Sequence, residues 1–585
     1  MNNENIVKRS ISEEKIWSKY YPEASKYEQA PKMKILDYLK FNNVNKMNLT
    51  ALNYYGTKIT YKKLIAKIEE AANAFHKLGV KAGDTVSFVA VAVPECIYAV
   101  YALNKLGAAC NMIDPRMDEE SIKRMVIESE SRFLVALDVT YPKVFKVRKY
   151  IDQEKTIIIP FARSLPFIKR TVATYATSNV RTYLDYDNRL IKWDTFLADG
   201  VGTVAPDAEY VGDRLVAIAY TGGTTGFPKG VMLTNDSVNA VAYSFKYAGL
   251  VQGKKDKFLG IIPIFSSYGF VCGTHMPLCL GLELIPVPRF IPTQFGKLIK
   301  QFKPHHMIST PAFIELLMNS KEIKNMDLSF ITTLGSGGDT MNEGLEEKLN
   351  NWMKQHNIKY PLAQGYGMSE LSAAATFSVN ELFKSGSVGI PSIGITVSIF
   401  DPETGEEKGY NEEGEICVTG GSMMKGYYKR EEETANVMRK HADGLTWIHS
   451  GDIGYIDEDG FLFVKGRIKR MIIRFDGHKV FPVNIESAIV QEEAVKNCCV
   501  VGVNDRSRSQ GQYPMAIVEL NEGYENKEEI CKQIFDKCNE VLEERGRPVC
   551  VVAIDKIPLT GQGKNDYKTL EKEFVDFDYI TNENK

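Results

Sequence analysis

The feature of this 585-residue chain that most constrains its fold is an alternation of helical and strand patterns over most of its length. Apolar residues recur at helical spacing from Tyr61 to Leu78. Thr60, a good N-cap residue, precedes them, and Gly79, which is typical of a helix C-terminus, follows. Short apolar runs at 85–93 and 214–220 are typical of strands. This alternation predicts an α/β fold of layered sheets and helices.

Two changes in the sequence pattern, both in the C-terminal part of the chain, indicate further structural units. After about residue 385, short strands separated by Gly and Asp-Gly turns predict an antiparallel or β-barrel-like subdomain over about 385–468. Beyond Arg470, three strand patterns and a long helical pattern over about 526–545 predict a compact α+β unit. We therefore predict a large N-terminal domain over 1–468, which includes the β-rich subdomain, and a small C-terminal domain over 469–585.

Composition and charge exclude several classes of protein. A net charge of −2 argues against binding to nucleic acid. The ten cysteines contain no C-x-x-C pair and lie mostly in apolar runs, as buried reduced thiols do, so a cytoplasmic location is expected. The N-terminus lacks the apolar region of a signal peptide.

The stretch 141–183, the basic segment, is rich in Lys and Arg. It contains nine Lys or Arg residues against two Asp or Glu residues and mixes basic with apolar side chains in "SLPFIKRTV". A basic amphipathic patch of this kind can make weak contact with an anionic membrane surface. An ordinary solvated face is the alternative interpretation.

The run "YTGGTTGFPKGVML", 220–233, predicts a phosphate-binding loop. Its Gly and Thr residues offer unobstructed backbone N–H groups and hydroxyls, and Lys229 offers a cation. It is not a Walker A loop, because Pro228 precedes Lys229 and Gly230 follows it. It also lies between two strand patterns, so a flexible hairpin turn without a ligand is the alternative interpretation.

Four further motifs follow in order: "GSGGD" (335–339), "QGYGMSE" (364–370), "HSGDIGYIDEDGFLFVKGRIKR" (449–470) and "PLTGQGKNDY" (558–567). With the loop at 221–230, they make the chain resemble the adenylate-forming superfamily, which contains acyl-CoA synthetases, adenylation domains of nonribosomal peptide synthetases, and luciferases. Within it the chain looks most like fatty acyl-CoA synthetases. The resemblance covers essentially the whole chain and implies a large N-terminal domain, a hinge, and a small mobile C-terminal domain.

The resemblance implies a nucleotide site. Tyr366 has a planar ring that can stack on adenine, and the carboxylate of Glu370 suits Mg²⁺. Asp452 stands where the family binds both ribose hydroxyls, and Arg467 where it contacts the nucleotide. The implied ATP- and AMP-binding residues are Thr221, Gly222, Gly223, Thr224, Thr225, Gly226, Lys229, Gly337, Gly338, Asp339, Gln364, Gly365, Tyr366, Gly367, Asp452 and Arg467.

Three residues are implied to be catalytic. Lys564, between Gly561 and Gly563, can meet the substrate carboxylate and the α-phosphate as charge is rearranged. Glu370 would bind the metal, and Ser369, where the family usually has Thr, keeps a hydroxyl for phosphate. A serine hydrolase is a weak alternative for "GMSEL", because the chain has no G-x-S-x-G sequence.

The resemblance also implies two positions for the second half-reaction. Lys469 falls at the hinge, where the family has Asp or Lys and where a residue must stay solvated in two states. Gly477 matches a glycine that lets a pantetheine arm pass close to the backbone.

The acid substrate is indicated less directly. In "PIFSSYGF", Ser266 stands where many acyl-CoA synthetases have His and where amino-acid-activating relatives have Asp. It has no charge to bind an ammonium group, so amino acids are disfavoured. Ser266, Tyr268, Gly269 and Gly335 are expected to line the acyl pocket. The small residues among them indicate a medium- or long-chain fatty acid, or a bulky ring acid, in preference to acetate.

We therefore predict an enzyme, an ATP- and Mg²⁺-dependent carboxylic acid:CoA ligase that works through acyl-AMP. A stand-alone enzyme that loads a carrier protein shares every ATP motif and stays open as the main alternative. A luciferase-like oxygenase and a non-catalytic nucleotide-binding module are more distant alternatives, and Lys564 and Glu370 argue against the module. The sequence does not indicate an oligomeric state.

Overall fold

The structure of the protein is a computed structural model. It describes residues 10–26, 30–150, 154–176, 189–221, 227–247, 250, 253, 255–339, 341, 343–378, 380–474, 476–504, 511–559 and 565–577.

Within these residues the α-helices are α1 Ile11–Glu14, α2 Ile35–Asn42, α3 Tyr61–Leu78, α4 Pro94–Leu106, α5 Glu119–Glu128, α6 Tyr141–Val147, α7 Phe167–Ala176, α8 Trp193–Asp199, α9 Asn235–Ser244, α10 Met276–Leu280, α11 Phe295–Phe302, α12 Pro311–Met318, α13 Glu343–Gln355, α14 Glu431–Val437, α15 Pro482–Ile489, α16 Lys527–Val541 and α17 Tyr567–Phe574. A π-helix, Tyr268–His275, leads directly into α10.

The strands of the same residues are β1 Thr50–Tyr54, β2 Thr57–Thr60, β3 Thr85–Val89, β4 Ala109–Ile113, β5 Phe133–Leu137, β6 Lys155–Ile159, β7 Leu190–Lys192, β8 Leu215–Tyr220, β9 Gly230–Thr234, β10 Lys257–Gly260, β11 Glu283–Pro286, β12 His306–Ser309, β13 Thr333–Ser336, β14 Ala363–Tyr366, β15 Thr376–Phe377, β16 Ile390–Pro391, β17 Ile395–Phe400, β18 Gly414–Gly420, β19 Met438–Lys440, β20 Thr446–Ile456, β21 Leu462–Arg467, β22 Ile472–Ile473, β23 Lys479–Val480, β24 Val495–Asn504, β25 Gln512–Leu520 and β26 Val551–Ile554.

Two large sheets, mostly parallel, form the N-terminal part. The seven-stranded sheet has the order β7-β6-β5-β3-β4-β8-β9, and only its β8–β9 pair is antiparallel. The nine-stranded sheet has the order β16-β15-β14-β13-β12-β10-β11-β1-β2, with antiparallel pairs at both ends. One hydrophobic core joins side chains of both sheets with those of α3, α4 and α9. The predicted α/β layered fold is confirmed.

The helix α3 begins and ends where local sequence signals predict. The hydroxyl oxygen of Thr60 accepts a hydrogen bond from the backbone N–H of Lys63, at 3.3 Å, which caps the first turn. Gly79 has φ of 98°, a left-handed conformation that favours glycine and closes the last turn. The buried face of the helix packs into the core.

Smaller sheets follow in the chain. Strands β17 to β21 form a five-stranded antiparallel sheet, in agreement with the predicted β-rich section. Near the C-terminus, β24-β25-β26 form a three-stranded sheet. Helices α15 and α16 share one core with this sheet, and α17 shares a second core with it. The predicted domain boundary at 468/469 stays a prediction.

In the described part of the chain, no helix combines the length and the apolar composition that are needed to cross a membrane. All ten cysteines are free, and eight of them are buried, as their apolar surroundings in the sequence predict. The cytoplasmic location stays a prediction.

Candidate active site

The fold brings three of the predicted motifs to one edge of the nine-stranded sheet. Strands β10, β12, β13 and β14 are parallel, so their carboxyl ends share that edge. "PIFSSYGF" follows β10, "GSGGD" continues from β13, and "QGYGMSE" continues from β14. In open α/β sheets, ligands bind outside the carboxyl ends of the strands. This edge is therefore the candidate active site.

The predicted phosphate loop joins two antiparallel strands, β8 and β9, as the sequence indicates. At its base the backbone N–H of Thr221 donates to the carbonyl oxygen of Lys229, at 3.0 Å. The backbone N–H of Lys229 donates in return to the hydroxyl oxygen of Thr221, at 3.3 Å. Five predicted ligands, Gly222, Gly223, Thr224, Thr225 and Gly226, lie outside the described residues.

Tyr427 links this loop to the predicted metal ligand. The ammonium nitrogen of Lys229 lies 4.1 Å from the centre of the Tyr427 ring, within cation–π distance. The hydroxyl of the same tyrosine donates to Oε1 of Glu370, at 2.5 Å. Tyr427 and Glu370 are both buried. The sequence analysis missed Tyr427, because it lies in the stretch "KGYYKR", which carries no recognised chemical motif.

The hydroxyl of Tyr427 keeps its proton and can therefore donate a hydrogen bond. Burial raises the pKa of its hydroxyl well above the usual value, and the neighbouring carboxylate of Glu370 raises this pKa further. The hydroxyl therefore stays protonated at neutral pH. Glu370 itself is held in a single 3₁₀ turn, Ser369–Leu371, and the hydroxyl of Ser369 lies 2.9 Å from that of Ser267.

A second group of contacts surrounds Asp452 on β20. Its Oδ2 accepts a hydrogen bond from the hydroxyl of Tyr366, at 2.7 Å, and its Oδ1 lies 2.9 Å from Nε of Arg467. Asp452 is only 4% exposed, and it is the Cα partner of Arg467 on the adjacent strand β21. An ionised carboxylate has about four lone-pair sites, which suits the predicted contact with both ribose hydroxyls; that role of Asp452 stays a prediction.

The glycines of "GSGGD" lie against an aromatic ring. The backbone N–H of Gly337 donates to the carbonyl oxygen of Ser309, at 3.1 Å. A Cβ added to Gly337 would lie 3.2 Å from the hydroxyl of Tyr268, and Gly338 has φ of 81°. Glycine is therefore favoured at both positions, at 337 by a close approach and at 338 by the left-handed backbone. Asp339 follows them on the exposed surface.

The first residues of "QGYGMSE" have structural contacts of their own. The side-chain amide of Gln364 donates to Oε2 of Glu346 on α13, at 2.8 Å. Gly365 lies within β14, and a Cβ there would lie 3.1 Å from the carbonyl oxygen of Thr376. At Gly367 a Cβ would lie 1.9 Å from a backbone oxygen, so the turn requires glycine. These contacts fix the backbone segment that carries the side chains of Tyr366 and Glu370.

The predicted acyl-pocket residues pack closely. The hydroxyl of Ser266 donates to the carbonyl oxygen of Pro263, at 2.8 Å, and accepts from the backbone N–H of Gly269, at 3.0 Å. A Cβ at Gly269 would lie 2.0 Å from the same carbonyl oxygen, and one at Gly335 would lie 3.1 Å from Ile308. The lack of a side chain at Gly269 thus avoids a clash with the Pro263 carbonyl group, and the predicted lining of an acyl pocket by these residues stays a prediction.

A small apolar cavity of about 20 Å³ lies beside this segment. Two of the residues that line it, Ile264 and Phe265, directly precede Ser266 in the chain. The remaining lining comes from β3, β4, α4 and the turn after β3, namely Phe88, Ala90, Cys96, Val100 and Met112. The sequence analysis did not predict this cavity, because its walls come from distant parts of the chain.

The C-terminal positions are described in part. Lys469 is exposed in the short 3₁₀ turn Ile468–Arg470. Gly477 has φ of 78°, and an added Cβ would meet no atom within 4 Å, so its backbone faces open space. Lys564 lies outside the described residues.

Two protein-family models match the chain. The family model of the AMP-binding enzyme matches residues 40–428, and that of the AMP-binding enzyme C-terminal domain matches residues 484–564. The chain belongs to the AMP-binding enzyme family. The predicted membership of the adenylate-forming superfamily is confirmed.

Relatives of this AMP-binding enzyme are ligases. A long-chain-fatty-acid–CoA ligase of Bacillus subtilis (strain 168) is 29% identical over 527 residues, which cover 88% of this chain and 90% of the relative. A 4-coumarate–CoA ligase of Vanilla planifolia is 27% identical over 529 residues, which cover 88% and 90%. A crystal structure of an anthranilate CoA ligase with anthranoyl-AMP has a TM-score of 0.79 at 21% identity and covers 93% of this chain and 98% of that one.

The predicted enzyme class, an acid–thiol ligase, is confirmed by the family and by these relatives. The similarity to the solved structure shows that this AMP-binding enzyme shares the fold. The individual roles of the site residues stay predictions.

Proposed function

We propose that this enzyme is an ATP- and Mg²⁺-dependent carboxylic acid:CoA ligase that forms an acyl-AMP and then transfers the acyl group to CoA. The observation that supports it best is the continuous contact from Lys229 through Tyr427 to Glu370. This contact joins the base of a phosphate loop to a buried carboxylate at the sheet edge. The names of the relatives support CoA as the acceptor.

In the first half-reaction, an oxygen of the substrate carboxylate attacks the α-phosphorus of ATP, and the bond to the β-phosphate breaks. Lys229, with the hydroxyls of Thr224 and Thr225, holds the departing pyrophosphate, while Tyr366 and Asp452 hold the adenosine. Lys564 stabilises the charge on the reacting oxygens. Holding the reactants in line in this way can contribute roughly 7–11 kcal/mol.

The residues around Glu370 fit a magnesium ion. Mg²⁺ prefers hard oxygen ligands and is commonly held by one or two carboxylates together with substrate phosphates. The hydrogen bond from Tyr427 fixes the orientation of the Glu370 carboxylate. When bound there, the ion would neutralise charge on the phosphates.

In the second half-reaction, the thiol of CoA attacks the carbonyl carbon of the acyl-AMP, AMP leaves, and the thiol proton passes to solvent. The C-terminal domain turns about Lys469 and exchanges the loop of Lys564 for the surface around Gly477. The open space beside the Gly477 backbone supports the passage of a pantetheine arm.

The acid is proposed to be a medium- or long-chain fatty acid or a bulky ring acid. The apolar side chains of Ile264 and Phe265, directly before Ser266, support an apolar acyl group, because a charged group would lose hydration beside them. Ser266 offers no charge for an amino acid.

The basic segment is proposed to make weak contact with an anionic membrane surface. On α7 the side chains of Phe167, Ile168 and Val172 are 73%, 78% and 66% exposed. Lys169 and Arg170 lie between them in the sequence and are also exposed. Apolar and basic side chains on one exposed helix suit the boundary of an anionic bilayer.

One experiment tests the proposed function. Pyrophosphate release is measured with acids of graded chain length and with aryl acids, in the presence of CoA, of a holo-carrier protein, or of neither. We expect acid-dependent release with ATP and Mg²⁺, and a thioester only with CoA. Thioester formation on the carrier alone would favour the loading enzyme. Nucleotide binding without acid-dependent release for any acid would contradict a ligase.

A further inference from the structure

Four side chains that commonly bind metals meet on the five-stranded antiparallel sheet. Glu415 and Cys417 lie two residues apart on β18 and therefore point to the same face of the sheet. His449 on β20 is the Cα partner of Cys417, and partners across a ladder share a face. His441 follows the end of β19, which also pairs with β20. None of these residues belongs to the predicted nucleotide or acyl site.

Three of these four residues place a possible ligand atom close to a common point. Nδ1 of His449 lies 2.8 Å from Oε2 of Glu415 and 3.5 Å from Sγ of Cys417. One oxygen, one sulfur and one nitrogen from the three residues all lie within 4.8 Å of one another. In a tetrahedral zinc site, bond lengths near 2.0–2.3 Å place the ligand atoms roughly 3–4 Å apart. The cluster thus needs only small side-chain shifts to close around an ion.

The fourth residue, His441, contacts the ring nitrogen of His449 that lies away from Glu415 and Cys417. Nε2 of His441 lies 2.8 Å from Nε2 of His449, so one of the two imidazoles donates to the other. The Glu415 carboxylate accepts, so Nδ1 of His449 carries a proton in the 2.8 Å contact with Oε2. A bound ion takes the place of this proton at Nδ1, and Nε2 of His449 then carries the proton that is donated to His441. A zinc-bound histidine typically donates its other N–H to an acceptor in this way.

Charge and burial suit a divalent ion. Cys417 is fully buried, and Glu415 is 6% exposed. A thiolate and a carboxylate together balance two positive charges, which a buried ion requires. A set of sulfur, imidazole and carboxylate ligands suits zinc and does not suit magnesium or calcium.

We propose that Glu415, Cys417 and His449 form a zinc site, in which His441 is a positioning residue. A water molecule completes the coordination as a fourth ligand. The ion links β18 to β20 close to the predicted ribose ligand, since Asp452 lies three positions beyond His449 on β20. The backbone N–H of Gly451 also donates to Oε1 of Glu415, at 2.9 Å. The site therefore fixes the strand that carries Asp452.

The test uses Co²⁺ as an optical probe for the site in the full-length chain. The purified protein is stripped with a chelator, desalted and titrated with Co²⁺. We expect a thiolate-to-cobalt absorption band that saturates at one ion per chain and disappears when Zn²⁺ is added. A folded chain that gives no such band would overturn the proposal.

Two variants and one matched control identify the ligands. Cys417→Ser and His449→Asn should both abolish the band, whereas Cys550→Ser, which changes a half-buried cysteine of the three-stranded sheet region, should keep it. A band that persists in a folded Cys417→Ser or His449→Asn chain would overturn the site. His441→Gln should keep the band and weaken Co²⁺ binding by about 10- to 100-fold. Unchanged affinity in that variant would remove His441 from the proposal.

Discussion

The hydroxyl of Tyr427 lies 2.5 Å from Oε1 of Glu370, although 57 positions separate the two residues in the chain. The ring of the same tyrosine lies under the ammonium group of Lys229. A single side chain thus positions both the predicted metal ligand and the predicted phosphate cation. Its two contacts can be removed separately, which makes its role testable.

Tyr427→Phe removes the hydroxyl and keeps the ring. We expect kcat for pyrophosphate release to fall roughly tenfold to a hundredfold, because a hydrogen bond to a charged group contributes about 1.5–3 kcal/mol. The Mg²⁺ concentration at half-maximal rate should rise as well. Tyr428→Phe, at the next position, is the control. Equal Mg²⁺ dependence in both variants would argue that Tyr427 has no role at Glu370.

Asp452→Asn removes the charge that faces Arg467 and Tyr366. We expect KM for ATP to rise about tenfold or more, since charge-assisted hydrogen bonds to the ribose are lost. The rate of ATP–pyrophosphate exchange measures this effect. Asp459→Asn changes an exposed aspartate paired with Lys384 and should leave KM unchanged. An unaltered KM in Asp452→Asn would exclude this residue from nucleotide binding.

Lys564→Ala should separate the two half-reactions. We expect acyl-AMP formation to slow by about 10²-fold or more, as for other lost electrostatic donors. Thioester formation from preformed acyl-AMP and CoA should continue at the wild-type rate, because that step does not use this ammonium group. Lys572→Ala, on the exposed side of α17, is the matched control. Equal slowing of both half-reactions would contradict the assigned role.

Phe167→Ser combined with Ile168→Ser removes exposed apolar surface from α7. We expect weaker cosedimentation with vesicles that contain phosphatidylglycerol, and no binding of either form to vesicles of phosphatidylcholine alone. Val201→Ser with Val204→Ser removes equally exposed apolar side chains outside the basic segment and serves as the control. Equal sedimentation of the three proteins would contradict membrane contact through this helix.

The sequence by itself determined what local signals can encode. Thr60 and Gly79 mark the ends of α3 because capping depends on only a few neighbouring residues. The strands on both sides of the phosphate loop follow in the same way from short apolar runs. The motifs at 335–339, 364–370 and 449–470 identified the family because their residue types and order are informative without coordinates.

Only the tertiary structure decided which distant side chains meet. Tyr427 reaches Glu370 because the chain at 427 forms a bridge with Val231 on β9, and no local pattern encodes that pairing. The cluster of Glu415, Cys417 and His449 depends on the register of β18 against β20, because a slip of one residue between these strands would separate His449 from the face that carries Glu415 and Cys417. No local pattern indicates that a Cβ at Gly269 would lie 2.0 Å from the Pro263 carbonyl oxygen, and the place of Gly269 in the acyl pocket stays a prediction. Contacts of this kind arise from long-range packing, which the order of residues specifies only through the whole fold.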